Sequence, residues 1–364
     1  MNGEQERSQR TLRPGAGLSN SPVTVDRSPC LVIQTAFLGD VVLTTPLISV
    51  LAERHGPVDV VTTPAAASLL ETHPAVGSVI RYDKQGADRG LRGIRKLASA
   101  LRARQYATVY LPHRSVRSAA LALLSGAPER VGFAGSPAAL TYTRRVIPPR
   151  SGHEVERLLA LADAAAGTHD VSLGITADDH ATAERWLDAH RIAAGFVALA
   201  PGSIWGTKRW PYYSELARAS ERPCVVVGST ADAPLADAIV AAAPGRVVSA
   251  AGELSLRASA ALIGRAAVLV TNDSAPLHLA TAVGTPVVAL FGPTVPEFGF
   301  GPRGAGDVAL GKEGLACRPC SRHGPHQCPL GHHRCMKELS PVTVAAAVAA
   351  VLNREESRAI CPRD

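Results

Sequence analysis

Aromatic residues are scarce in this chain. Phe, Trp and Tyr make up 4% of its 364 residues, and only three are tryptophan. That scarcity argues against an aromatic-rich β-sandwich. Alanine, valine and leucine carry the apolar mass instead, which suits buried parallel strands covered by alanine-rich helices. The chain also lacks any run of about 18 apolar residues, so no segment reads as a membrane span. Residues 1–29 are polar, rich in Arg, Ser and Pro, and have no apolar core of the kind a secretory signal needs; they read as a disordered tail. The seven cysteines do not form the disulfide framework of a small secreted domain, which points to a reducing cytosol. No helix-turn-helix, RNA-binding aromatic signature or zinc-finger spacing is present, so nucleic acid is not an expected partner.

What the chain does have is length and positive charge. At 364 residues it exceeds what one hydrophobic core usually supports, so two domains are expected. A hydrophobic content of 46% excludes disorder of the whole chain. The net charge of +7 fits acidic partners such as phosphates or an anionic lipid surface, and equally an ordinary arginine-rich surface.

Strand-like and helix-like stretches alternate along the chain. Leu31-Val32-Ile33 is a short β-branched run, and Val41 to Ala52 then carries apolar residues at helical spacing. Further strands are expected at Val58–Val61, Ser78–Ile80 and Thr108–Leu111, with helices over Ala65–Glu71 and Leu91–Arg104. A weakly patterned stretch, Leu161 to Gly174, reads as the passage between domains. A helix over Asp178–His190 opens a second series, with strands at Phe196–Leu199, Pro223–Val227, Val247-Val248, Ala267–Val270 and Pro286–Leu290. Cys30 and Cys224 each start an apolar run, as small buried hydrophobes would. Such alternation implies α/β architecture with parallel sheets. The expected division is two Rossmann-like domains, 30–170 and 171–340, and a final helix, 341–354, packed back on the body. Ligands in such sheets bind beyond the carboxyl ends of the strands, so two facing domains make a cleft.

Three segments sit at those ends. Pro201-Gly202-Ser203 follows a strand and leads to Trp205-Gly206-Thr207-Lys208-Arg209-Trp210-Pro211, where small residues admit a phosphate and Lys208 supplies charge. An exposed Lys-Arg pair beside a packed Trp-Pro is the bland alternative. In Thr271-Asn272-Asp273-Ser274-Ala275-Pro276-Leu277-His278, Asp273 or Ser274 can cap the next helix, Pro276 suits its first turn, and its free N–H groups form an anion site. His278 reads as a ligand contact or as a buried, satisfied histidine. Asp40, after Gly39, is either a plain N-cap or a general base looking into the cleft. The helix dipole is expected to lower its pKa and keep it ionised at neutral pH. Finally, Cys317, Cys320, Cys328 and Cys335 form a Cys-x2-Cys-x7-Cys-x6-Cys series among several histidines. These four could close a structural zinc site, with reduced thiols or local pairing as the competing readings.

Together these segments resemble the bacterial ADP-heptose:lipopolysaccharide heptosyltransferases, specifically the type II branch. The likeness runs from Leu31 to about Leu352 and rests on the Phe37–Pro46 run, Pro201-Gly202-Ser203 with Trp205–Pro211, Asn272–His278, and the Cys/His segment through Cys335-Met336. It implies a GT-B fold, two Rossmann-like domains facing across a cleft, the N-terminal one (30–170) for the acceptor and the C-terminal one (171–340) for the nucleotide-sugar donor. It also implies inverting, metal-independent transfer of heptose from ADP-heptose to the inner core of lipopolysaccharide, with no cofactor required. By this likeness Asp40 is the catalytic base and Lys208 neutralises the departing diphosphate. Gly39, Ser203, Thr207, Asp273, Ser274, Ala275 and His278 complete the expected donor site. Ala275 stands where the family commonly has glycine. The implied acceptor is a lipid-linked phosphorylated glycan, met by a cytoplasmic protein, peripheral to the inner membrane at most. A cationic first-domain surface (Arg89, Arg92, Arg95, Lys96, Arg102, Arg104, Arg114, Arg117) suits that acceptor, although a solvated helix face explains about half of those residues equally well. The competing functions are a relative using another nucleotide sugar for a surface polysaccharide, and a catalytically silent nucleotide-sugar-binding module.

Overall fold

The computed structural model describes residues 29–360. The tail expected over 1–29 therefore lies, Pro29 apart, outside the described residues. Among the described residues twelve strands form two six-stranded sheets. The first contains β1 (Cys30–Ile33), β2 (Val58–Thr62), β3 (Val76–Arg81), β4 (Thr108–Leu111), β5 (Glu129–Phe133) and β6 (Arg144–Val146) in the order β3-β2-β1-β4-β5-β6. The second contains β7 (Val197–Ala200), β8 (Cys224–Val226), β9 (Val247–Ser249), β10 (Val268–Asn272), β11 (Val287–Phe291) and β12 (Val308–Gly311) in the order β12-β11-β10-β7-β8-β9. Every pairing is parallel.

The two orders are the same pattern. In each sheet the first strand lies at the centre, the chain winds to one side, then returns to wind to the other. The reversal leaves a crevice beyond the carboxyl ends of the two central strands, between β1 and β4 in one sheet and between β7 and β10 in the other. The central strands are buried on both faces, β1, β4, β7, β10 and β11 at every residue, as their unbroken apolar runs require. Cys30 and Cys224 are buried at strand starts as expected.

Most expected elements are present within a residue or two. Three strands were not expected. Strand β5 (ERVGF) and edge strand β6 (RRV) carry charge, and edge strand β12 (VALG) is short and only partly buried. The helix expected over Val41–Ala52 is two helices, Leu38–Leu43 and Thr45–His55. Pro46 explains the break, because a helical proline clashes with the carbonyl four residues back. That carbonyl, on Val42, instead accepts from the Thr45 hydroxyl at 2.8 Å, while the Thr44 hydroxyl donates to Asp40 O at 2.7 Å and accepts from Gln34 Nε2 at 2.9 Å. The result is a short, independent helix that holds Asp40 at the carboxyl edge of β1. The last helix runs from Pro341 to Ile360, beyond the expected end at 354. Arg354, Glu355 and Glu356 are good helix formers that continue it, and Glu356 pairs with Arg222. Its apolar residues Val344, Val348 and Val351 are buried against the second sheet's core.

Candidate active site

The segments singled out at strand ends converge on one cavity of about 650 Å³ lined from both sheets. Gly39 and Asp40 come from the β1 side. Gly202, Ser203 and Lys208 follow β7, and Asp273, Ser274, Ala275 and His278 follow β10. The approach is close: a Cβ on Gly39 would lie 2.7 Å from His278 Cδ2. Only glycine lets the Asp40 turn rest against the 275–283 helix.

Asp40 is the third residue of its helix, not the cap. Phe37 takes the cap position, and Asp40 Oδ2 accepts from the Phe37 N–H at 3.2 Å. The expected lowering of its pKa does not occur. Burial is the largest influence, Glu154 adds repulsion, and together they raise it from 3.8 to about 6. The Phe37 N–H and the Lys208 ammonium pull the other way without reversing the shift. A carboxyl with a pKa near 6 is still ionised at neutral pH, and it is a stronger base than an ordinary aspartate. The rate should follow the ionised fraction. We expect kcat/KM to fall tenfold per pH unit below about pH 6 and to level off above it. An acid limb near pH 4 in a pH–rate profile would contradict the raised pKa.

Across the cavity, Lys208 sits in a tight turn, Gly206–Lys208. Its ammonium donates to Asp273 Oδ2 at 2.6 Å and to Asp273 O at 3.1 Å. The same Oδ2 accepts from the Thr294 hydroxyl at 2.6 Å. Lys208, Asp273 and Thr294 are all buried. Asp273 is therefore neither a cap nor an open ligand but the anchor of Lys208. The Ser274 hydroxyl does not cap either. Among the described residues its only acceptors are Gly202 O and Asn272 O, both at 3.4 Å, and no side chain caps the start of the 275–283 helix. Ala275 has no positive φ, so its methyl group is no obstacle to this turn. His278 is buried, and that burial lowers its pKa to about 4, leaving a neutral imidazole beside the Lys208–Asp273 pair.

Asn272 ties the two donor-side loops together. Its Nδ2 donates to Pro201 O at 2.9 Å, and its Oδ1 accepts from Trp210 N at 3.1 Å. Gly202 is pressed so tightly against Asp232 that a Cβ there would lie 2.2 Å from Asp232 Oδ1.

Thr207 departs from expectation. It does not line the cavity. Its hydroxyl donates to Pro325 O, and its carbonyl faces His333 Nε2 at 2.8 Å. It is a brace that pins the lysine turn to the Cys/His loop. The zinc reading of that loop also fails to find support. Among the described residues no group of three or more His, Cys, Asp or Glu side chains is placed to hold a metal ion. Cys320 Sγ donates to Cys317 O at 3.2 Å, Cys317 Sγ lies 4.0 Å from His332 Nε2, Cys335 is buried, and Cys317, Cys320, Cys328 and Cys335 are all unpaired thiols.

Other lining residues are not assigned to the site by the sequence, although Gly252–Arg257 is a loose match to the family's adenine-contacting stretch and His323 lies within the Cys/His series. They include the Gly228–Asp232 loop after β8, Gly252, Leu254 and Leu256 after β9, Phe298 and Phe300, and Arg322 with His323. The glycine-hydroxyl run Gly228-Ser229-Thr230 at a strand end was the available signal for the first of these. No local pattern marks Phe298 or Phe300.

The model of glycosyltransferase family 9 (heptosyltransferase) matches residues 94–330. The chain belongs to this family. It is 29% identical over 300 residues to lipopolysaccharide heptosyltransferase 2 of Escherichia coli K12, covering 74% of this chain and 84% of that protein. Among solved structures, the E. coli ADP-heptose lps heptosyltransferase II superposes with a TM-score of 0.73 at 24% identity, covering 90% of this chain and 99% of that one. E. coli heptosyltransferase WaaC, solved with ADP-2-deoxy-2-fluoro heptose, superposes with a TM-score of 0.64 at 21% identity, covering 88% and 99%. The two facing sheets are thus the GT-B fold, and this member of family 9 is a glycosyltransferase of the heptosyltransferase kind.

Proposed function

We propose that this chain transfers heptose from ADP-heptose to the inner core of lipopolysaccharide, with inversion at the anomeric carbon and without a metal ion. The observation that carries the reading is the single cavity in which Asp40 of one lobe faces Lys208 and the start of the 275–283 helix from the other. Inverting displacement needs a base on one face of the anomeric carbon and charge stabilisation of the leaving group on the opposite face. Asp40 takes the proton from the acceptor hydroxyl as its oxygen attacks. The bond between the anomeric carbon and the diphosphate breaks, and the negative charge left on the departing diphosphate oxygen is met by the Lys208 ammonium and the positive end of the 275–283 helix. These groups can supply the stabilisation that a divalent cation gives elsewhere. The ADP moiety found with the E. coli WaaC protein supports the choice of nucleotide.

The acceptor side has its own cavity, of about 590 Å³, lined by Lys84, Gln85, Arg89, Ser115, Val116 and Arg117. It opens beyond the carboxyl ends of β3 and β4, on the same edge of the sheet as Asp40, and the Lys84 ammonium donates to Thr35 O. None of its three cations is in an ion pair among the described residues. A phosphorylated or carboxylated sugar of a lipid-linked acceptor suits it. Among the described residues no helix is long and apolar enough to cross a membrane. Such an acceptor would then be met by a cytoplasmic enzyme, at the inner-membrane surface.

A transfer assay with purified protein tests the reading. We expect turnover with ADP-heptose and a heptose-terminated inner-core acceptor, undiminished by EDTA. Turnover with a UDP-sugar and none with ADP-heptose would point to a surface-polysaccharide transferase. Donor binding without transfer to any acceptor would mean a silent binding module.

A further inference from the structure

The loop that follows β12 and carries the cysteine series folds back over the cleft. Its root is fixed by Arg318, whose guanidinium donates to Gly292 O at 2.8 Å, Lys312 O at 3.0 Å, Phe291 O at 3.1 Å and Thr294 O at 3.2 Å. Cys320 N donates to Pro293 O at 2.8 Å, and beyond it Pro325 O accepts from Thr207. Arg322 and His323 lie between these two anchors and reach the cavity wall. The His323 ring stands 6.0 Å from Phe37 and 6.3 Å from Trp205, at the mouth between the lobes.

The charges around the cavity give this placement a consequence. Its charged lining residues are Asp40, Asp232 and Asp273 against Lys208, Arg209 and Arg322. Lys208 is already paired with Asp273, so that couple contributes a dipole and little net charge. Arg209 spends its Nε on Ser203 O at 2.9 Å. Arg322 has no carboxylate, carbonyl or hydroxyl partner among the described residues, and the His323 imidazole beside it feels Arg322 and Lys208 as neighbouring positive charges. A nucleoside diphosphate is multiply anionic, and the Lys208–Asp273 couple leaves most of that charge unmet.

We propose that Arg322, presented by the Cys/His loop, binds the donor diphosphate as a second cation beside Lys208. The assignment rests on the donor reading above and adds to it the residue that supplies the missing charge. Its planar guanidinium matches two phosphoryl oxygens at once, which a lysine ammonium cannot do. The loop's two anchors fix the backbone on either side of Arg322, so binding does not have to order the loop as well.

Calorimetric titration of the full-length protein with ADP and, separately, with adenosine is the test. For Arg322→Ala we expect ADP affinity to fall by about tenfold to a hundredfold, the usual range for a charge-assisted hydrogen bond, with adenosine affinity unchanged. Arg322→Glu should weaken ADP further, and Arg322→Lys should recover part of the loss. Melting temperatures should match the parent, because the side chain is exposed. Equal ADP affinity in the parent, Arg322→Ala and Arg322→Glu would overturn the assignment while leaving the donor reading intact. A parent protein that binds no ADP would overturn both, so the two failures are distinguishable.

Discussion

Replacing Asp40 with Asn should lower turnover by at least about a hundredfold, and by as much as about ten-thousandfold, the range lost with a general base, while ADP affinity stays at the parent value. Asn is the informative substitution because Asp40 has two jobs. One is local: Oδ2 accepts the Phe37 N–H at the start of the helix. An amide oxygen can keep that bond, so the turn that brings Gly39 against His278 survives. The other job is chemical, and an amide cannot accept the acceptor's proton. A loss in Asp40→Asn therefore reports on the base and not on the turn. Stability should move the other way. Folding raises the Asp40 pKa from 3.8 to about 6, so the native state disfavours the ionised form. The stabilisation tied to this raised pKa is complete below the unfolded value and is lost as pH climbs through about 6. Above that pH the neutral variant should melt no lower than the parent, the familiar exchange of stability for function at a catalytic group. Turnover within a few-fold of the parent would remove Asp40 from the reaction.

What could be read in the sequence was whatever local periodicity and punctuation encode. The buried central strands announce themselves as apolar runs, and the glycine- and proline-bearing turns at their ends mark where ligands gather. That pattern located Asp40, Ser203, Lys208, Ser274 and His278, all of which line one cavity. The missed pieces have different causes. Strands β5 and β6 hold their place by pairing with β4 and with each other, so their charged sequences carry little signal. The break at Thr44 follows from Pro46, which a count of apolar spacing passes over. The partners of Asp273 were out of reach for a simpler reason. Lys208 is 65 positions away and Thr294 is 21, and no local rule distinguishes a carboxylate that caps the next helix from one that holds a distant lysine. Asp40's raised pKa belongs to the same class. Its helix suggested a lowering, and burial between two lobes reversed the sign.

The second large effect should come from Lys208→Ala, and it should be double. For catalysis, the variant loses the cation nearest the leaving group, and removing one such group typically costs about a hundredfold to a thousandfold in turnover. ADP affinity should fall with it. For stability, the change strips a buried carboxylate of its counter-ion: among the described residues the Asp273 carboxylate keeps only the hydrogen bond from the Thr294 hydroxyl. Breaking a buried pair from one side commonly costs about 3–5 kcal/mol, and the surviving hydroxyl bond places this case toward the lower end. The melting temperature should therefore drop by several degrees. The two losses separate in Lys208→Ala combined with Asp273→Asn. An amide in place of the carboxylate can still accept from Thr294 and leaves no orphaned charge, so the double variant should regain most of the stability of the parent. It should regain none of the turnover, because the cation is still absent. Recovery of both would mean that Lys208 acts only by neutralising Asp273, and that the departing diphosphate finds its positive charge elsewhere.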